Sequence, residues 1–449
     1  MEPPARTYLL VGGHKLRILY VVHQFFPYFV TGVERNTLNL SRQMRLMGHE
    51  TLVLSVVPSG HEPEEAPGSY LYRGGRVIQE YPSRATKAIP DCEVDEATAE
   101  ILRSVISSFK PDVVHVMHPR FFPEARLVAH SAAVPAVLHL HDYWFVCPRI
   151  NFLRADGSLC SDAGHGKDCE TLCGMDPRWG TQRYAWALEE LAGYDAVISP
   201  SRFLIETFSL NGFSTEQWHH IPYGVDYRGL SKQIAQEQRP RGAEGRADAS
   251  RSAEGRPDLP RRHQRRRKFT ERNPMVVRFL GTILKHKGPH VLLEAVKALP
   301  PDAPVLAAVH GSSYHESDYE KELREKAGGD PRIVFSGAYA YERIVQILED
   351  THLVVVPSLW HENFPITAET ATAFDVPIAC SDLGGMAELV SEYQAGFTFP
   401  AGDSDALAAI IEKCLADPTL LELPSDRLKP PPLEEEAARI EHIYRQLVC

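Results

Sequence analysis

The sequence predicts an α/β protein built from two doubly wound, parallel-sheet domains. Three observations carry that expectation. The chain has 449 residues, more than one ordinary hydrophobic core organises. Short apolar runs alternate with segments of helical period along nearly all of it, which is the pattern of repeated βα units. A polar, basic stretch at 229–273 interrupts the alternation and separates two halves.

Taken in order, residues 1–15 read as a loose lead-in and 16–22 as the first strand. A loop at 23–31 leads to Gly32, then an amphipathic helix at 36–47 and a strand at 50–56. A glycine between strand and helix lets backbone N–H groups approach an anion closely, although one glycine in a turn is also simply a turn. Helix 97–109, strand 113–116, helix 124–131 and strand 136–140 continue the alternation. His141-Asp142 ends that last strand, where a site residue of such a sheet stands. An irregular insertion at 147–174 follows, with Cys147, Cys160, Cys169 and Cys173. Four thiols on one loop suit a tetrahedral Zn(II), with His165 as a competing ligand. Without paired C-x2-C knuckles they equally suit free thiols on an acceptor loop. Helix 183–192 and the strand 196–200, ending at Ser201, lead to His220-Ile-Pro-Tyr-Gly224-Val-Asp226.

The linker has 12 basic and 5 acidic residues between Arg239 and Arg272, a local net of 12 − 5 = +7, and repeats Ala-Glu-Gly-Arg at Ala243 and Ala253. Such a segment buries no core and is expected to be disordered. Its 261–268 run, RRHQRRRK, is either a solvated tether or a contact for anionic lipid headgroups or nucleic acid. The second half opens with strand 276–280, a turn at 281–288 and helix 290–299. Strand 305–310, helix 316–327, strand 333–336 and helix 342–350 come next.

Residues 353–390, LVVVPSLWHENFPITAETATAFDVPIACSDLGGMAELV, concentrate the chemistry. An apolar strand stops at Pro357-Ser358, a loop carries Trp360, His361, Glu362 and Phe364, and a helix covers 366–374. The strand 376–380 then turns at Gly384-Gly385 into another helix. Ligands of such units sit at the carboxyl ends of strands, with anions on helix N-termini. Helices at 404–417 and 433–448 close the chain.

This stretch resembles the donor-sugar signature of family-4 glycosyltransferases, retaining enzymes of the GT-B fold. Pro357, Ser358, Glu362, Phe364, Val376, Pro377, Ser381, Gly384, Gly385 and Glu388 match it. The resemblance covers nearly everything except 1–15, the cysteine loop and the linker. It implies two Rossmann-like domains facing a cleft: an acceptor-side domain at 1–226, the basic disordered linker at 227–273, and a nucleotide-sugar domain at 274–449 whose terminal helix packs back. It further implies that His141, Lys287 and Glu362 carry catalysis. Gly32, Gly281, Thr282, Phe364, Pro365, Ile366, Glu369, Thr370, Gly384 and Gly385 would bind the donor. His115 and His118 are weaker acceptor-side candidates. Two departures stand out. Thr370 takes the place of the second signature Glu, with Glu369 one residue earlier. Thr282 stands where an Arg partners Lys287 on the diphosphate, with Lys285 and His286 nearby; Asp375, where Gly is preferred, is milder. The implied activity is retaining transfer from a nucleotide-diphosphate sugar to a glycan, lipid-linked or small-molecule acceptor, in surface polysaccharide or glycoconjugate synthesis. No cofactor is required, and structural zinc in the cysteine loop is separate. The alternative is a binding homologue with impaired catalysis.

Composition fits an enzyme of this kind. Hydrophobic residues make up 43% and charged residues 24%, the balance of a soluble globular protein. The net charge of −11 argues against a general nucleic-acid binder. No run of 18 apolar residues exists, and residues 1–15 lack a secretory core. Eight cysteines in a long enzyme-like chain point to a reducing compartment, hence the cytoplasm, with 261–268 as a candidate contact with the membrane's inner face.

Overall fold

The computed structural model describes residues 14–56, 69–80, 89–231, 268–313 and 317–448. The chain divides into two compact units, one of residues 1–89, 94–137 and 443–449, the other of residues 90–93 and 138–442. Residues 232–267, which include 261–267 of the basic run and most of the expected linker, lie outside the described residues.

In the first unit, β1 (Arg17–Val21), β2 (Glu50–Val56), β3 (Ser69–Tyr72), β4 (Gly75–Glu80) and β5 (Val113–Val116) lie in the order β3-β4-β2-β1-β5. All pairs are parallel except the hairpin β3–β4, registered Ser69↔Ile78. That hairpin has no counterpart in the sequence reading. Its strands are short, half-exposed at β3, and turn on Arg73 and Gly74, both at positive φ. The crossovers are helices α1 (Gly32–Leu46), α2 (Glu96–Phe109) and α3 (Ala125–Ser131). Asp95 accepts from the Thr98 amide to start α2, and Lys110 ends it in the left-handed region. Strand β6 (Ala136–His139) runs through the division at Val137.

The second unit begins with the loop after β6, a short helix α4 (Lys167–Thr171), α5 (Thr181–Ala192), β7 (Ala196–Ser199), α6 (Arg202–Leu210) and β8 (His219–His220). Its six-stranded sheet holds β9 (Met275–Leu280), β10 (Val305–His310), β11 (Ile333–Gly337), β12 (Leu353–Val356), β13 (Ile378–Ser381) and β14 (Gly396–Phe399) in the order β11-β10-β9-β12-β13-β14, all parallel. This is a doubly wound order with its switch between β9 and β12. Helices α7 (Pro289–Ala298), α8 (Ser317–Ala327), α9 (Ile344–Glu349), α10 (Ile366–Ala373), α11 (Gly384–Tyr393) and α12 (Ser404–Ala416) cross over, and α13 (Leu433–Val448) closes the chain.

Strand β12 explains why its sequence is a continuous apolar run. Leu353 and Val355 enter one core cluster with Val277, Leu292 and Ile411. Val354 and Val356 enter the other with Ala371, Ile378 and Met386. Both faces are covered, so alternation has no polar side to show. The strand then ends at Pro357, and everything after it is placed at the sheet's carboxyl edge.

Candidate functional site

Two turns at the carboxyl ends of β9 and β12 build the site. After β9, the amide of Gly281 donates to the His310 carbonyl, and the chain runs through half-buried Thr282 into a 3-10 turn at Lys285–Lys287. The Leu359 amide donates to the His286 carbonyl at 2.7 Å, which ties this turn to the loop after β12. Gly288 then opens α7 at φ +68, in the left-handed region that only Gly adopts cheaply. A Cβ there would lie 1.9 Å from the Pro357 carbonyl oxygen. The close approach of these two backbones is what lets Lys287 reach across.

Lys287 Nζ donates to Glu362 Oε1 at 2.6 Å. Ser358 Oγ and Trp360 Nε1 donate to the same oxygen at 2.7 and 3.1 Å. The ammonium also stands 5.2 Å over the Trp360 ring. Burial pushes the Glu362 carboxyl up, but the Lys287 charge and the three hydrogen bonds outweigh it and hold the group below its ordinary value. The Glu362 side chain is 8% exposed and Lys287 27%, so the cation has a face turned to solvent.

The Gly384-Gly385 turn locks the same loop from the other side. The Gly385 amide donates to the Glu362 carbonyl at 2.8 Å, and a Cβ on Gly385 would fall 1.7 Å from the Asn363 carbonyl oxygen. Helix α11 thus starts directly against the Glu362 backbone. Its Glu388 carboxylate accepts from the amides of Arg202 and Phe203 at 2.9 and 3.0 Å, capping α6 together with Ser201. Ser201 Oγ in turn reaches Asn363 Oδ1 at 2.5 Å.

His141, at the end of the β6 strand-loop, shares a 2.5 Å hydrogen bond between Nδ1 and the Tyr223 hydroxyl. Tyr223 packs edge-on against Phe364, with ring centroids 5.6 Å apart, so His141 is joined to the 359–365 loop through one side chain. His139 stacks on His141 at 4.6 Å and is driven to about 3 by burial, and burial pushes Tyr223 well above its ordinary value. Neutral rings therefore surround His141 at neutral pH.

The predicted residues distribute unevenly. Lys287, Glu362, Phe364, Gly384, Gly385 and His141 come together in one unit. Pro365 caps α10, and the Ile366 carbonyl accepts from Thr370 Oγ1. Thr370 is fully buried and also bonds the Tyr341 hydroxyl at 2.7 Å. Glu369 is 1% exposed with Oε1 lacking any hydrogen-bond partner; burial, then the nearby Glu436 charge, raises it well above the ordinary carboxylate value. Gly32 begins α1 in the first unit, behind Thr31. There His115 bonds the Tyr444 hydroxyl, and His118 accepts from the Arg120 amide at 3.1 Å. The four loop cysteines line one small cavity and are free thiols. Burial pushes Cys169 up to about 12, which rules it out as a nucleophile at neutral pH.

Tyr223, Ser358, Trp360 and Asn363 carry contacts that the sequence reading did not assign. Ser358 and Trp360 had a signal, since both flank the signature Glu on a loop that must bend back on itself. Tyr223 lies in the HIPYGVD stretch, and nothing in its spacing from His141 announces their contact.

Residues 30–228 match the family described as Glycosyltransferase Family 4, and residues 260–428 match Glycosyl transferases group 1. The D-inositol 3-phosphate glycosyltransferase of Corynebacterium urealyticum is 30% identical over 149 residues, 32% of this chain and 35% of that protein. That match therefore spans about a third of the relative's length. A GDP-mannose-dependent alpha-mannosyltransferase of Mycobacterium tuberculosis is 23% identical over 411 residues, 89% of each chain. Among solved structures, Anabaena HepE in complex with UDP and glucose is similar at TM-score 0.62 and 18% identity, covering 96% of this chain and 98% of that one. Sucrose-phosphate synthase of Thermosynechococcus elongatus gives 0.67 and 17%, covering 96% and 99%. At these identities the structural likeness is one of fold. Among the described residues no helix is long and apolar enough to cross a membrane.

Proposed function

Because the chain is a family-4 glycosyltransferase of the GT-B fold, we propose that it transfers a hexose from a nucleotide-diphosphate sugar, with retention of configuration, to a glycan, lipid-linked or small-molecule acceptor. The pathway we assign is surface polysaccharide or glycoconjugate synthesis. The observation that carries this reading is the Lys287–Glu362 pair, held at 2.6 Å beneath the Gly384-Gly385 turn. All three donors to Glu362 land on Oε1. Oε2 is left to accept from hydroxyls of the donor sugar.

In the transfer step the bond from the anomeric carbon to the diphosphate breaks and a bond from that carbon to the acceptor oxygen forms on the same face. The acceptor's proton passes to a phosphate oxygen of the leaving group. Negative charge grows on the diphosphate, and the partly exposed Lys287 ammonium with the positive N-terminal ends of α7 and α11 would stabilise it. His141, held by Tyr223, would support the transferring sugar. Transfer is expected to proceed without added magnesium.

The test is nucleotide release from a panel of GDP-, UDP- and ADP-sugars, with the product's anomeric configuration read by proton NMR. The M. tuberculosis relative puts GDP-mannose first, and the HepE complex with UDP and glucose puts a UDP-sugar second. An inverted product sinks the retaining assignment. A second reading, a sugar-nucleotide-binding homologue without transfer, is favoured by Thr282 in place of the clamp Arg and by the burial of Glu369 and Thr370. Calorimetric nucleotide binding without release from any donor would select it. For location we propose the cytoplasm, with 261–268 touching anionic lipid. Vesicle co-sedimentation unchanged by deletion of 239–272 would end the lipid part.

A further inference from the structure

The densest group of metal-ligating side chains outside the site is on the loop that begins just after His141. Cys147, Cys160, Cys169 and Cys173 all line a single small cavity, together with Phe152 and Leu153. Cys147 and Cys169 are buried; Cys160 and Cys173 are half-buried, and none is in a disulfide. The Cys160 thiol donates to the Asp162 carbonyl at 3.4 Å. Metals are ligated by thiolates, and a buried thiolate requires a cation.

The surrounding chain has little regular structure. Between Cys147 and Cys173 regular structure amounts to one antiparallel bridge, Leu153↔Leu159, a 3-10 turn at Gly164–Gly166 and the five-residue helix α4. Ile150, Phe152 and His165 sit at positive φ, a conformation that non-glycine residues keep only when their surroundings impose it. The start of the loop is fixed by Arg183, which donates to the Trp144 and Phe145 carbonyls and to Asp91. The remainder is tied at separate points, Ala163 N to Asn211 Oδ1 at 3.0 Å, His165 stacked on Tyr184 and Phe152 stacked on Tyr143, and its four sulfurs meet at one cavity.

We propose that Cys147, Cys160, Cys169 and Cys173 bind one structural Zn(II) ion. Four thiolates complete a closed tetrahedral set, so no position is left for water or substrate, and the ion's task is folding, not transfer. As placed, no three His, Cys, Asp or Glu side chains among the described residues stand close enough to hold a metal ion, so binding has to draw the four sulfurs together from these positions. Each thiol loses its proton to solvent as its sulfur binds. The ion closes 147–173 into a knot whose entry strand carries His141-Asp142. The assignment is independent of which sugar is moved.

The test is the metal content of the full chain purified without chelator. About one zinc per chain is expected, with X-ray absorption giving a four-sulfur shell at about 2.3 Å. Co(II) supplied during expression should give the intense thiolate-to-cobalt absorption of a tetrahedral sulfur site. Cys169→Ser should lose the metal, while Cys92→Ser, outside the loop, keeps it. If Cys169→Ser fails to fold, the wild-type absorption spectrum decides alone. A metal-free folded chain, an intact mass two or four hydrogens light, or a shell containing nitrogen or oxygen overturns the proposal.

Discussion

Two turns join the first strand of a sheet to the first helix after it: residues 22–31 between β1 and α1, and residues 281–288 between β9 and α7. Their backbones do the same job, and their chemistry is opposite. In the first, the Glu34 carboxylate accepts from the Thr31 amide at 2.7 Å and from the Thr31 hydroxyl. The helix N-terminus is thus occupied by its own side chain in a capping box. Glu34 is fully buried, which raises its carboxyl, and His23, 3.7 Å away, is driven well below its ordinary value by burial and by the charges of His118 and Arg120. In the second, Gly288 caps α7 with no side chain, Pro289 follows, and Lys287 adds a cation. One turn places a carboxylate at its helix start, and the other a cation.

The largest way to break this contrast is Lys287→Ala. Nucleotide release should fall about 10²–10³-fold, as for loss of one preorganised charge-stabilising donor, and Lys287→Arg should recover part of it. A fall of less than tenfold would mean that the second turn is no more a phosphate site than the first. Gly288→Ala comes next. Its Cβ would meet the Pro357 carbonyl at 1.9 Å and hold a left-handed φ. The strain alone costs roughly 1–3 kcal/mol, read as a lower Tm, and the displaced Lys287 should lower release in step. An unchanged Tm would show that the two backbones are not in contact.

Two carboxylates, Glu362 on the loop after β12 and Glu369 on α10, sharpen the point about the lysine. Glu362 has a folded-state value below its unfolded one, so its contribution is present above the unfolded value of about 4.3 and fades as pH falls through the folded value. Glu362→Gln should therefore cost stability near pH 7, about 1–3 kcal/mol, and the gap to wild type should narrow below about pH 4. Glu369 has the opposite sign. Its raised value means that the folded chain keeps the proton, so its share of stability is lost as pH rises above about 4.3. Glu369→Gln should melt higher than wild type, by a margin that grows with pH. A margin that shrinks with pH would place a cation beside Glu369.

How much of this was legible in the sequence depends on whether a feature is local. Strand β12 and the Gly384-Gly385 turn were readable because a run buried on both faces has no polar residues and a backbone approach of this kind leaves only glycine. The terminal helix 433–448 was read residue for residue from its period. The hairpin β3–β4 was not, since its turn residues Arg73 and Gly74 carry a weak signal and its outer strand is half-exposed. In the site, the pairing of Lys287 with Glu362 follows from strand order, β9 beside β12, which 75 residues of intervening chain conceal. Tyr223 and His141, 82 residues apart, are hidden for the same reason. The burial of Glu369 against Glu436 depends on where α13 lies, and no spacing near residue 369 encodes that.

The smallest expected effect tests the first turn. Thr31→Ala removes the hydroxyl from the capping box and should cost about 1 kcal/mol of stability, while the calorimetric Kd for the nucleotide moves less than twofold. Thr31 and Glu34 exchange cap bonds with each other at the start of α1, so removing part of that cap disturbs the helix and not a ligand. A tenfold loss of nucleotide affinity at unchanged Tm would reverse it. Gly32 and its neighbours would then be phosphate contacts, and Glu34 would be a group displaced when the donor arrives.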